Sequence, residues 1–472
     1  MATGLKSASI DRRDFLRMAG VGLAMATIGS RTISAQKKPD RRPNIVLILA
    51  DDLGYAGVGC QGCRDIPTPN IDAIAAQGVR FTDGYVTCPV CSPTRAGLMI
   101  GRYQQRFGHE NGPGQFINNP QFGLRSTEIT LAERLKSAGY KTGMVGKWHL
   151  GSGDSSPTRR GFEHFFGFYG PNHSYLDSAD DKTNAILRGT EPVDEKDYLT
   201  DAFTREAVAY IRKCKADPFF LYVAYNAVHL PMHVSQSRLK RAKSITDPNR
   251  RIHATMMMAL DDGVGAILQT LRETELEENT LVVFLSDNGA PTDMNTSQNT
   301  PLRGFKSQLL EGGIRIPFMI QWKGRIPAGQ VYGEPVISLD ISATILTIAG
   351  VRDGWEKELE GVCLLDYLQD KKVRPHDALY WRFGAQAAIR MGDWKLLKEG
   401  DKPWQLFNLR QDIAEATDLA ARESKKVAEL LEAYQKWDAK NIAPRWTQAN
   451  RQQQAKPNAK PKPRKKAVKT GA

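Results

Sequence analysis

No stretch of this chain stays apolar for the roughly 20 positions that a membrane-crossing helix needs, so the sequence predicts no stable membrane anchor. No repeat of fixed period runs through it, which argues against solenoid and propeller architectures. Cysteine is sparse, six in 472 residues; an exported chain can pair such cysteines, and their spacing leaves any pairing open. Net charge is missing from most of the length. The formal +13 divides into +3 over residues 1–35, +8 over residues 451–472 and only +2 between them. A nearly neutral body argues against the nucleic-acid partner that the total would suggest. Acidic residues are absent from Arg451 onward, and that Lys/Pro/Gln/Ala-rich tail has no apolar periodicity, which predicts disorder.

What is present is a soluble, globular composition, 41% hydrophobic and 25% charged, long enough for one large or two unequal domains. Ahead of it, Asp11-Arg12-Arg13-Asp14-Phe15-Leu16 is a twin-arginine pattern. A small-residue apolar run from Met18 to Ile28 follows, with Ser34-Ala35 as a cleavage point. This predicts a signal peptide over residues 1–35 and export across a bacterial inner membrane, to the periplasm or beyond.

The chemistry-bearing residues stand at the ends of predicted strands. Asn44 to Ala50 is an unbroken apolar run suited to a strand buried on both faces of a parallel sheet, and it ends in Asp51-Asp52. A second strand, Leu281 to Leu285, delivers Ser286-Asp287-Asn288-Gly289, where Gly289 allows a sharp exit. Four oxygen ligands, Asp51, Asp52, Asp287 and Asn288, suit a hard cation, calcium or magnesium. Cys91-Ser92-Pro93-Thr94-Arg95 reads as the start of a helix, so the helix's positive end and the Arg95 guanidinium face position 91. The strand Lys141 to Val145 runs into Gly146-Lys147-Trp148-His149; on an extended segment Lys147 and His149 point the same way, towards one anion. The strand Pro218 to Tyr225 leads to His229. Lys306 reads, on its own, as a surface charge.

Together these segments resemble the type I sulfatases of the alkaline-phosphatase-like superfamily. The resemblance rests on Cys91-x-Pro93-x-Arg95, Asp51-Asp52, Gly146-Lys147-Trp148-His149, Asn226-Ala227-Val228-His229 and Asp287-Asn288-Gly289, and it runs from about Pro43 to Trp437. Thr94 stands where serine is commonest, Ile100 where threonine usually precedes the glycine, and Val228 where proline is usual. The resemblance implies that Cys91 is converted to Cα-formylglycine by a formylglycine-generating or sulfatase-maturating enzyme. It implies a calcium ion, with magnesium second, held by Asp51, Asp52, residue 91, Asp287 and Asn288. It implies a catalytic set of residue 91, Arg95, Lys147, His149, His229, Asp287 and Lys306. It implies that hydrated residue 91 attacks sulfur with Asp287 as base, that His229 protonates the leaving alcohol, and that Lys147, His229 and Lys306 bind the sulfate ester. The implied substrate is a sulfated small molecule or polysaccharide; an aromatic, amide-bearing loop around Asn172 to Tyr175, suited equally to packing, tilts the expectation to a sulfated sugar.

The expected fold is α/β: a large, mostly parallel sheet flanked by helices over residues 36–370, then a smaller antiparallel sheet plus helix over 371–446, then the tail over 447–472. Helix starts are expected at Asn70 as a cap, at the Thr130-x-x-Glu133 capping box and at Thr200-Asp201. A methionine-rich helix spans Ile252 to Glu273, and Gly161 to Asp177 reads as a long loop at the mouth of a pocket. A hairpin turns at Gly392-Asp393, and a final helix spans Ser424 to Asp438. Three rival readings remain. The first is a formylglycine-dependent phosphodiesterase or phosphonate monoester hydrolase. The second is a zinc-knuckle protein built on Cys60-x-x-Cys63 and Cys88-x-x-Cys91. The third is a polysaccharide binder without catalysis.

Overall fold

Both faces of the run at 44–50 are covered, which is why it shows no alternation. The computed structural model describes residues 41–119, 121–176, 181, 184–368 and 374–447; the expected signal peptide and the tail from Arg451 lie outside them. Strand β1 (Asn44–Ala50) is buried throughout. Ile45, Leu47 and Leu49 enter one apolar cluster, and Val46, Ile48 and Ala50 the other.

The large sheet has ten strands in the order β11-β2-β10-β9-β1-β8-β4-β5-β6-β7. They are β2 (Val79–Phe81), β4 (Lys141–Lys147), β5 (His164–Phe168), β6 (Leu187–Arg188), β7 (Glu191–Pro192), β8 (Phe219–Ala224), β9 (Thr280–Ser286), β10 (Phe318–Gln321) and β11 (Gln330–Tyr332), with β1 at the centre. A short parallel pair, β3 (Gly84–Tyr85) and β12 (Val336–Ile337), stands apart. The five central strands β9, β1, β8, β4 and β5 are parallel. Their register sets Leu49 against both Ala224 and Leu285, and Ala50 against Ser286, so three strands end at one level. Ligands gather at that edge of open α/β sheets.

Seven principal helices follow in chain order: α1 (Pro69–Ala76), α2 (Cys91–Ile100), α3 (Leu131–Ser137), α4 (Leu199–Lys213), α5 (Pro248–Glu273), α6 (Leu339–Ile348) and α7 (Ser424–Asp438). The α3 capping box forms as expected, with Thr130 and Glu133 bonding reciprocally. Two other caps do not. Asn70 lies inside α1, where its amide and backbone N–H bind Asp261 across the chain. Thr200 and Asp201 lie in the first turn of α4, and Asp201 pairs with Arg238 instead. Met256, Leu260, Val264, Ile267 and Leu271 of α5 are fully buried, so the methionine stripe is core.

The antiparallel sheet joins β13 (Leu379–Phe383), β14 (Gln386–Met391), β15 (Trp394–Lys398) and β16 (Gln405–Asn408). Gly392 takes the left-handed conformation that the β14–β15 turn requires, at φ 59°. Helix α7 lays Leu430, Tyr434 and Trp437 on this sheet, and Trp437 stacks on Tyr380 with centroids 5.1 Å apart. Lys395, fully buried, sits 2.9 Å from Glu311 and 2.8 Å from Glu415. Burial alone would raise Glu311, yet Lys395, Arg315 and Arg390 hold it down at about 2. Removing the lysine leaves two buried carboxylates facing each other. Lys395→Ala is expected to cost roughly 3–5 kcal/mol of stability, read from urea unfolding; a cost below about 1 kcal/mol contradicts this account of the cluster.

Candidate active site

The level strand ends put Asp51-Asp52 beside Asp287-Asn288. The Asp287 N–H donates to Ala50 O, the Asp51 N–H to Ala227 O, and the Val228 N–H to Asp51 O, so three strand exits are stitched together. Asp52 takes φ 60°, which turns its carboxylate back into the cluster. There the Asn288 amide donates to Asp52 Oδ1 at 2.7 Å, and Lys306 Nζ lies 2.6 Å from the same oxygen. Lys306 is therefore not the surface charge its sequence context suggests: its side chain is only 17% exposed.

Position 91 is the first residue of α2, preceded by an extended Val90, and all ten residues of the helix are buried. In this first turn Pro93 has no N–H and the Thr94 N–H bonds to Val90 O, which leaves the N–H groups of Cys91 and Ser92 at the helix's positive end. Thr94 keeps a useful hydroxyl, donating to Cys88 O at 2.8 Å. The Arg95 guanidinium donates to Asp287 Oδ2 from two nitrogens, at 2.8 and 3.0 Å, and to Lys147 O at 2.8 Å, and lies 3.4 Å from Asp51. Lys147, the last residue of β4, is wholly buried and donates to Asp51 Oδ2.

Lys147 and His149 do meet at one site, but not by strand alternation. Gly146 has φ 109° and His149 has φ 58°, so the segment is bent rather than extended. Ser92 fixes the bend by donating to His149 O at 2.8 Å. The His149 ring is buried with neither nitrogen hydrogen-bonded among the described residues. Gly112 lets it fit: a Cβ there would stand 3.1 Å from His149 Nε2 and 3.2 Å from Ser92 Cβ. Gly289 is likewise needed for close approach rather than for a positive φ, since a Cβ would fall 1.8 Å from Gly312 O.

His229 Nε2 lies 3.5 Å from Asp52 Oδ2, and its Nδ1 is 2.7 Å from Leu230 O. Its backbone is held by a residue of the aromatic loop, which the sequence left open between sugar contact and packing. Tyr175 is buried, with its hydroxyl 2.5 Å from Asn226 O and 2.9 Å from His229 O. Residues 161–176 are thus not one long loop: 164–168 form β5, and Tyr175 and His173 are buried, leaving Asn172 exposed. Tyr175→Phe removes the donor from two carbonyls and is expected to cost about 1–3 kcal/mol, measured by denaturant unfolding; an unchanged midpoint contradicts this role.

The electrostatics follow from burial and close pairing. Burial alone would raise Asp51 and Asp52, but Lys147 beside the first and Lys306 beside the second, with His229 near both, hold them below the usual carboxylate range. Asp287 is raised by burial and by the Asp51 charge, against the pull of Arg95. Burial, then Lys147 and Arg95, drives His149 well down, so its imidazole is neutral at neutral pH. Burial pushes the Cys91 thiol up despite Lys147 and Lys306. A thiol in that state is a poor nucleophile.

Three carboxylates, Asp51, Asp52 and Asp287, thus face three cations, Arg95, Lys147 and Lys306. Two buried acceptors, Asp51 Oδ1 and Asn288 Oδ1, have no hydrogen-bond partner among the described residues. Among those residues, Asp51 with Cys91 and Asp287, and Asp51 with Asp52 and His229, form groups of three side chains close enough to share an ion. Cys60, Cys63 and Cys88 belong to neither group and all six cysteines are free, so the zinc-knuckle arrangement does not form. The oxygen-rich donor set fits a hard divalent cation.

A family described as Sulfatase matches residues 43–351, and one described as N-sulphoglucosamine sulphohydrolase, C-terminal, matches residues 305–437. An arylsulfatase of Hemicentrotus pulcherrimus is 34% identical over 382 residues, covering 76% of this chain and 68% of its own. An N-acetylgalactosamine-6-sulfatase of Sus scrofa is 33% identical over 376 residues, covering 75% and 71%. The solved structure of Ps i-CgsB in complex with k-i-k-neocarrahexaose superposes with a TM-score of 0.82 at 34% identity, over 86% of this chain and 95% of that one.

Proposed function

The chain belongs to the sulfatase family and is a sulfuric ester hydrolase, and from that premise we propose that it removes sulfate from a sulfated carbohydrate through a formylglycine made from Cys91 and a bound calcium ion. One observation carries this reading: Cys91, at the start of a buried helix, lies close enough to Asp51 and Asp287 to share an ion, within a cluster that Asp52, Asn288, Arg95, Lys147 and Lys306 complete. The N-acetylgalactosamine-6-sulfatase and the neocarrahexaose complex among its relatives support a sugar ester. In this reading residues 36–370 form the catalytic part and 371–446 a C-terminal part, the chain is exported, and a maturating enzyme acts on Cys91.

Asp51, Asp52, Asp287, Asn288 and residue 91 would hold the cation, which would supply Lewis-acid charge for the attack on the ester. Arg95, Lys147 and Lys306 balance the charge of Asp51, Asp52 and Asp287, so the carboxylates do not repel an incoming anionic ester. Hydrated formylglycine supplies one hydroxyl to attack sulfur and a second that allows the residue to be freed. Asp287 takes the attacking proton, with Arg95 fixing its carboxylate. Lys147 and Lys306 neutralise charge on the sulfuryl oxygens. His229, at 15% exposure the most accessible of these groups next to Lys306, protonates the departing sugar oxygen. Neutral His149 takes the proton of the second hydroxyl as the C–O bond to the sulfate breaks; sulfate leaves, the aldehyde returns, and water adds to it to restore the hydrate.

The same parts serve a formylglycine-dependent phosphodiesterase or phosphonate monoester hydrolase. Turnover of 4-nitrophenyl sulfate against bis(4-nitrophenyl) phosphate separates them. We expect the higher kcat/KM for the sulfate; a reversed order overturns the assignment.

A further inference from the structure

The catalytic roles leave one neighbouring feature unused. An open cleft of about 760 Å3 begins at Lys306 and runs outward between the 305–308 segment, the β13–β14 turn and residues 399–402. Its other wall, Glu110 and Asn111, leads directly into Gly112 against His149, so the inner end of the cleft adjoins the catalytic cluster. The cleft is larger than one sugar. Even if each of a hexose's dozen heavy atoms took the ~30 Å3 of a liquid water, one ring would fill about 360 Å3.

Its lining has two further properties. Phe305, next to Lys306, is 41% exposed, and Phe383 faces the same space partly buried. Apolar ring faces open to a polar cleft suit the C–H faces of pyranose rings. The charges, in contrast, are already matched. Arg382 engages both Glu110 oxygens, at 2.6 and 3.1 Å; Glu399 lies 3.6 Å from Lys402; Lys306 belongs to Asp52. Beyond Lys306, Lys402 is the one cation among the described lining residues, and the carboxylates of Glu399 and Glu110 on the same lining repel a second anionic group. The walls are also tied together: Gln386 of β14 donates to Ser307 O at 2.9 Å and accepts from the Leu309 N–H at 3.0 Å. The cleft is thus formed before any ligand arrives, which lowers the cost of binding.

We propose that this cleft binds the sugar adjoining the sulfated one, that Phe305 and Phe383 are its contact faces, and that the adjoining sugar is recognised without a charged substituent. The inference rests on the sulfated-carbohydrate reading above. It makes the preferred substrate an oligosaccharide whose neighbouring residue is neutral.

The test uses the mature, formylglycine-bearing protein and matched sets of galactose and N-acetylgalactosamine sulfates. Each set holds the monosulfated monosaccharide, a disaccharide with the same single ester at its non-reducing or its reducing sugar, and that disaccharide with a second sulfate on the other ring. Sulfate release is measured for each, with 4-nitrophenyl sulfate as reference. For the accepted ester, kcat/KM is expected to be about tenfold or more higher for the disaccharide than for the monosaccharide, with no gain from the second sulfate. Phe383→Ala and Phe305→Ala are each expected to bring that ratio close to one. A disaccharide-to-monosaccharide ratio near one in the unaltered protein, a ratio untouched by both substitutions, or a strong gain from the second sulfate overturns the inference. Turnover of 4-nitrophenyl sulfate with no sugar ester accepted also overturns it while leaving sulfate-ester hydrolysis standing. No turnover of any ester by protein shown to carry formylglycine overturns the reading on which it rests.

Discussion

Cys91→Ala and Cys91→Ser are each expected to lose sulfate-ester turnover by roughly 10^4-fold or more, the scale seen when a nucleophile is removed. The two fail differently. Alanine offers no nucleophile at all. Serine offers one hydroxyl, which the same surroundings can direct at sulfur, but it lacks the second hydroxyl that would release the product, so it is expected to yield at most one equivalent of alcohol per protein and then stall. Neither change disturbs the fold: Cys91 is a small side chain at the first position of α2, where both replacements fit the space. Thermal unfolding close to that of the unaltered protein is therefore the control. Near-normal multiple turnover by either variant sinks the mechanism.

Removing the cation is expected to have the second-largest effect. Chelation should lower turnover by about 10^3-fold or more, because charge stabilisation at the nucleophile and the sulfuryl oxygens is lost together, and calcium should restore it. The protein should remain folded meanwhile. Arg95, Lys147 and Lys306 already pair with Asp51, Asp287 and Asp52 in the arrangement described here, so no carboxylate is left buried without a partner. Asp51→Asn differs from chelation on this point. It strands Lys147 beside a neutral amide, lowers stability by roughly 3–5 kcal/mol, and is not rescued by added calcium. Full activity after exhaustive chelation would contradict the assignment of Asp51, Asp52, Asp287 and Asn288.

The parts of this site that could be read from the sequence are those carried by local pattern. An apolar run ending in two aspartates, a strand ending in Asp287-Asn288, and a cysteine opening a helix each show their role within a few residues. Their convergence follows from register, since Ala50 pairs with Ser286 and Leu49 with Ala224. What could not be read depends on contacts between distant segments. Tyr175 looked like a sugar-facing aromatic, but the carbonyls it holds are about fifty residues away. Gly112 lies in an unpatterned stretch, and its close neighbours, the His149 ring and Ser92, come from distant or separate segments. Lys306 required the family resemblance, because nothing local marks a lysine that pairs with Asp52. The caps placed at Asn70 and Thr200 failed for a related reason: a residue type that favours caps was claimed by a partner elsewhere in the fold, or lay a turn inside a helix whose start was set by packing.

The central claim is that residue 91 reacts as a formylglycine. The most direct test is the mass of the peptide containing residue 91, from protein made in a host that carries a sulfatase-maturating enzyme. The account predicts loss of about 18 mass units relative to cysteine, the exchange of a thiol for an aldehyde, in step with activity across preparations. Active protein whose residue 91 is entirely unmodified cysteine would contradict it.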